Sequence, residues 1–203
     1  MKKFLVLVVL AAVVTCAVYI GSLASDKAQL SNDILRLHVV GASNDEADQA
    51  VKLLVRDAVL TAVEEITAGA DSKEEARVLL ADHLQTLESV ANQVLAEQGI
   101  TDRATASLGR EEFPTRQYDT FSLPAGIYDS LRVTIGQGEG RNWWCVVFPG
   151  LCIPAAAEET ADVAVGAGFS DSLSGAITGQ DEYQVRFFFL DVWGRLENFF
   201  HKG

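Results

Sequence analysis

The chain has 203 residues, 49% of them hydrophobic, with 16 basic and 28 acidic side chains and a formal charge of −12. That length and apolar content suffice for one compact domain plus a short leader, without help from metals or many disulfides. The acidic balance argues against nucleic acid and anionic lipid headgroups as partners of the folded part.

Lys2 and Lys3 open the chain, and residues 4–20 are nearly all apolar, softened only by Thr15, Cys16 and Tyr19. Small residues follow, with Ser22 and Ala24 forming a small-x-small site before Ser25. Residues 1–24 therefore read as a secretory signal peptide or, because the run reaches the lower limit for crossing a bilayer, as a membrane anchor. Either way the two lysines stay on the cytoplasmic side and the remainder is exported. Without residues 1–24 the chain keeps 14 basic and 28 acidic residues, a charge of −14.

Residues 25–33 are polar and read as a connector, and residues 34–203 as a single exported domain. Residues 34–40 are β-branched and apolar and predict a strand with Arg36 and His38 on one face. Ser43 and Glu46 have capping-box spacing and predict a helix start. Ala47, Val51, Leu54, Val55, Val59 and Ile66 then recur at helical spacing, and Gly69 closes that helix. Ser72 with Glu75 opens a second helix, carrying Leu80, Leu87, Ala91 and Leu95 to Gly99.

Beyond Gly99 the pattern turns to strands over residues 104–108, 116–123, 131–135 and 142–148, separated by turns at 124–126 and 136–140. Residues 154–182 are rich in Ala, Gly, Ser and acids and read as a flexible insert. Residues 183–200 carry Val185, Phe188, Phe189, Val192, Trp193, Leu196, Phe199 and Phe200 at helical spacing. They predict an amphipathic terminal helix, with a strand over 185–190 and a shorter helix as the alternative. The expected fold is α/β of the α+β kind: a mainly antiparallel sheet, a packed helix pair and the C-terminal helix, behind the N-terminal segment.

The residues offer no catalytic constellation, cofactor motif or metal set. Gly136, Gly138 and Gly140 run from one strand into another with Glu139 between them, which suits a hairpin turn better than a phosphate loop. Asp45, Glu46 and Asp48 lack calcium-loop spacing and suit a helix N-terminus. Arg56 and Asp57, as helix neighbours, do not face each other. Lys52 and Arg56, four apart, form a small basic strip: a solvated face or an interaction surface.

Cys145 and Cys152 flank Pro149 and Gly150. A structural disulfide, free buried thiols and reactive thiols all fit that spacing. Trp143 and Trp144 point to opposite faces of a strand, so one enters the core while the other is covered or forms a partner-binding anchor.

Four motifs taken together carry a resemblance: RLHVVGASN at residues 36–44, DQAVKLLVRDAVL at 48–60, LPAGIYDSLRVTIG at 123–136 and NWWCVVFP at 142–149. The chain resembles stage II sporulation protein R over most of residues 34–152. The resemblance implies an exported signal of endospore formation, made in the forespore and acting between the forespore and mother-cell membranes. Its implied partner is the membrane-embedded aspartic protease that removes the pro-sequence of pro-sigma-E. It implies no catalytic residues, no small-molecule substrate, no nucleic acid, and a membrane link only through the N-terminal segment.

The expected partner-binding residues are Trp143, Trp144, Arg141, Gly138, Lys52, Arg56 and His38. The rival expectations are an envelope-binding module, with the tryptophans as a glycan platform, and an envelope hydrolase. The hydrolase needs a nucleophile-base or metal set that the sequence does not offer.

Overall fold

Strand β1 (Leu35–Val40) is buried at all six positions. Such burial requires cover on both faces of the sheet and a strand on each side. Both conditions hold in the computed structural model, which describes residues 1–118, 121–150, 169, 171–179 and 184–201. The remaining elements are α1 (Lys2–Asp33), α2 (Glu46–Thr67), α3 (Lys73–Asp82), α4 (Leu84–Glu97), β2 (Ala104–Phe113), β3 (Arg116–Gln117), β4 (Ser122–Leu123), β5 (Gly126–Ile135), β6 (Asn142–Phe148), α5 (Asp171–Ile177) and α6 (Gln184–His201).

The main sheet has the order β2-β5-β1-β6. β1 runs parallel to β5, with Leu37 opposite Leu131, and antiparallel to β6, with His38 opposite Trp144. β2 pairs antiparallel with β5 along its whole length. The fold is thus α+β with a mainly antiparallel sheet, as the sequence predicts.

Alternation along β1 divides the core in two. Leu35, Leu37 and Val39 meet Val55, Val59 and Leu80 of the helix layer. The opposite face packs Phe113, Tyr128 and Val146 with Leu30 and Leu190. The second helix expected from the sequence is two helices, broken at His83, whose backbone leaves helical geometry at φ −111°, ψ 15°. Across this break, α3 packs on α2 while α4 packs on both α2 and β2. From α4, Asn92 exchanges hydrogen bonds with the backbone of Ala104 and Glu88 accepts from the Ala106 amide, which occupies the outer edge of β2.

Several expectations are corrected. Residues 25–33 are not a polar spacer but the last turns of α1, because Leu30 and the stem of Lys27 find apolar cover there. The Ser43–Glu46 capping box does not form. The N-cap is Asp45, and the Ser43 hydroxyl instead donates to Asp48 and accepts from the Asp45 amide. Ser72 does cap, accepting from the Glu75 amide. Residues 116–123 supply two short strands rather than one. Arg56 does bond its neighbour Asp57, at 2.7 Å, because the long arginine side chain reaches across the helix surface to the short carboxylate.

The glycine segment 136–140 is not a hairpin, since β5 and β6 lie on opposite sides of β1. It crosses the end of β1, and the Gly140 amide donates to Gly41 O at 2.9 Å. A Cβ on Gly140 would stand 2.2 Å from Ser43 O, so only glycine permits this crossing. Most of the expected flexible insert, residues 154–182, lies outside the described residues. Within it, α5 is ordered by Leu173 and Ile177, one helical turn apart and both buried. α6 is helical throughout, so the strand alternative fails.

Candidate partner-binding site

Among the described residues β6 is the last strand of the sheet, and it presents Trp143 and Trp144 on opposite faces. Neither ring is fully buried. Trp143 faces the helix layer, with the Arg56 guanidinium 4.9 Å from its ring centroid. Trp144 stacks on His38 at 5.6 Å with a 28° interplanar angle, and the Arg116 guanidinium lies 3.6 Å from its centroid. Stacked guanidinium groups hold each indole in place while leaving part of it wet.

The loop that crosses β1 brings the other expected residues to this edge. Gly138 sits in the loop with φ +69°, and Arg141 leads exposed into β6. Lys52 is not the exposed end of a basic strip. It is 4% exposed, and Nζ donates to Gln49 Oε1 at 2.6 Å and to Arg141 O at 3.0 Å. Burial, with help from Arg141 and Arg56, lowers its pKa. Lys52 is therefore a strut beneath the loop, and Arg56 is the member of the strip that reaches the tryptophan edge.

His38 is also inside the sheet rather than on a surface. Nδ1 lies 2.9 Å from Glu111 Oε2, and Nε2 lies 2.9 Å from Asn142 Oδ1. Glu111 Oε1 accepts from Arg132 at 3.0 Å. Burial pushes the Glu111 carboxyl up, but the hydrogen bonds and charges of His38 and Arg132 outweigh it and hold the pKa below the ordinary value. His38 thus acts as the support on which Trp144 rests. Arg36, on the same strand face, is wholly buried, with its guanidinium 4.0 Å from the Phe113 ring centroid and donating to Tyr118 Oη at 2.7 Å.

Between β3 and β6 these side chains border a groove of about 510 Å³. Arg116, Tyr118, Arg141, Asn142, Trp143 and Trp144 carry its character, which is aromatic and cationic on an otherwise acidic chain. Arg116 and Tyr118 are absent from the residues singled out in the sequence. Their period-two spacing was the available signal, weakened because β3 is only two residues long.

Among the described residues no group of three or more His, Cys, Asp and Glu side chains converges to hold a metal. Cys145 is buried on β6 opposite Leu37. Cys152, its expected disulfide partner, lies outside the described residues.

Fold and groove together define a class: an α+β domain behind an N-terminal apolar helix of signal or anchor type, with an aromatic, cationic groove at a sheet edge. A family model described as Stage II sporulation protein R (spore_II_R) matches residues 31–158, more than half of the chain, and the chain belongs to that family. It is 29% identical over 160 residues to Stage II sporulation protein R of Bacillus subtilis (strain 168), a match covering 75% of this chain and 71% of the relative. No solved structure matches it. The family places the role of the chain in sporulation.

Proposed function

We propose that the chain is an exported intercellular signal that activates the membrane-embedded aspartic protease processing pro-sigma-E, and that it does so as a binding ligand without catalysis of its own. Family membership supports the sporulation part of this reading. The observation that carries the ligand part is the tryptophan pair: two half-buried indoles, braced by Arg56 and Arg116, flank a groove beside β6. Partly exposed aromatic and arginine anchors on a rigid element supply most of the free energy in protein recognition.

A glycan platform needs an open indole face, whereas the Trp144 ring already engages His38 and Arg116. That disfavours passive envelope binding. The apolar segment of α1 is consistent with export from the forespore, and the action would lie between the two membranes.

The test is co-expression of the full chain with the protease and pro-sigma-E in a non-sporulating host. Cleavage of pro-sigma-E that depends on export supports direct activation. Absence of cleavage with both proteins folded and correctly placed rejects it.

A further inference from the structure

The C-terminal helix α6 is turned inside out relative to an ordinary surface helix. Val185, Phe188, Phe189, Val192, Trp193, Leu196, Phe199 and Phe200 are all exposed, from 38% for Val192 to 76% for Phe200. At roughly 100° per residue they fall on one broad arc, opposite the buried residues Leu190 and Gly194. No polar residue interrupts that arc. The polar and charged side chains of α6 lie elsewhere: Asp191 inside, where it accepts from the Ala125 amide, and Glu197 toward Lys27. A continuous apolar face of this kind marks a surface that another phase or molecule covers.

The position of α6 says which. Residues 1–20 of α1 are exposed apart from a half-buried Tyr19, and α1 has the length and hydropathy of a membrane span. Tyr19, at the end of the apolar run, makes an edge-on contact with Phe189, ring centroids 5.8 Å apart. Tyrosine and tryptophan favour the boundary between acyl chains and headgroups. Two neighbouring α1 residues, Asp26 and Lys27, hold Arg186 and Glu197 of α6. Those two partners are about three turns apart on α6, so the helices cross rather than run side by side. With α1 upright in a bilayer, α6 lies across it at the level where the span ends.

We propose that α6 is an interfacial membrane helix, its aromatic face seated among the acyl chains of the bilayer that α1 enters. The domain is then held by two elements, one crossing the membrane and one lying in it, rather than by the N-terminal segment alone. The seat relies on apolar insertion and not on headgroup charge, because a chain of −12 gains nothing from anionic lipid. The same charge disfavours a second copy as the cover. This inference goes beyond the activator reading and stands apart from it, since its test contains no protease.

The full chain is reconstituted in phosphatidylcholine vesicles whose acyl chains carry bromine. The emission of Trp193 is taken as the difference between the chain and its Trp193→Phe variant, which removes one indole and leaves Trp143 and Trp144. The expected result is loss of the Trp193 emission to brominated lipid, little loss to aqueous iodide, and no change when anionic lipid is added. Quenching of Trp193 by iodide as an open indole overturns the proposal. Shielding from both quenchers also overturns it, since protein, such as a second copy, would then cover the face.

Discussion

The Arg116 guanidinium lies 3.6 Å from the centroid of the Trp144 ring, while the same indole stacks on His38 of the central strand. A residue of a two-residue strand is thereby coupled to the middle of the main sheet. The groove is rigid on one side, through β1 and β6, and lightly held on the other, through β3.

Arg116→Ala separates binding from folding. A half-exposed stacked pair contributes about 0.5–1 kcal/mol to stability, so the variant should unfold within about that margin of the parent chain. If the groove receives the protease, the loss in binding should be on the order of 2 kcal/mol. Pro-sigma-E cleavage in the co-expression host, set beside a denaturant melt, reads both. Unchanged cleavage at equal expression removes Arg116 from the contact surface.

Glu111 makes the stability of the sheet acid-sensitive. Its folded-state pKa lies below the ordinary value despite burial, because His38 and Arg132 favour the carboxylate. A depressed carboxyl pKa gives stability that is present above the unfolded value, about 4.3, and is lost as pH falls through the folded value. Melting temperature should therefore decline below that pH, and Glu111→Gln should flatten the decline while lowering stability near neutrality. Parallel melting curves against pH for the two proteins would show that the carboxylate carries no such linkage.

Lys52 tests the support under the crossing loop. Its ammonium is buried and hydrogen-bonded to Gln49 and to the Arg141 carbonyl. Lys52→Met keeps the stem and strands two acceptors, at a cost of about 1–3 kcal/mol. Lys52→Glu places a carboxylate against the Arg141 carbonyl and should cost more. A charge reversal at Lys52 is consequently a folding experiment, whereas Arg56→Glu probes the surface beside Trp143. Urea melts should rank the losses Lys52→Glu above Lys52→Met above Arg56→Glu, and an unaffected Lys52→Glu would mean the strut is not needed.

Local pattern carried much of the fold into the sequence. The period-two run of β1, the apolar stripes of α2 and α6, and the Ser72 cap are short-range signals, and each element forms where its signal stands. The break at His83 has no such signal, because neither glycine nor proline marks it and only the separate seats of α3 and α4 require it.

Tertiary placement was less legible. The parallel pairing of β1 with β5 joins residues far apart in the chain, so the glycine segment looked like a hairpin when it is a crossover. The burial of Lys52 follows from that crossover and was invisible for the same reason. At the groove, the tryptophans announced themselves by type. Arg116, which braces one of them, did not, since two residues are too few to show a period.

The seat of α6 rests on Gly194. A Cβ there would lie 1.5 Å from Ala125 O and 2.4 Å from its carbonyl carbon. In an exposed helix, glycine to alanine gains about 1 kcal/mol. Here the added methyl meets backbone that cannot rotate away, and overpacking of this kind costs about 1–3 kcal/mol or more, so the clash wins. Lifting α6 would also strain the acceptor contacts of Asp191 with the Ala125 amide and Thr115. Gly194→Ala should lower the denaturant midpoint with little change in its slope, since the surface exposed on unfolding is nearly the same. A rise in midpoint, the normal helical response, would show that α6 does not press on the bend at Ala125 and that its apolar face is free to turn.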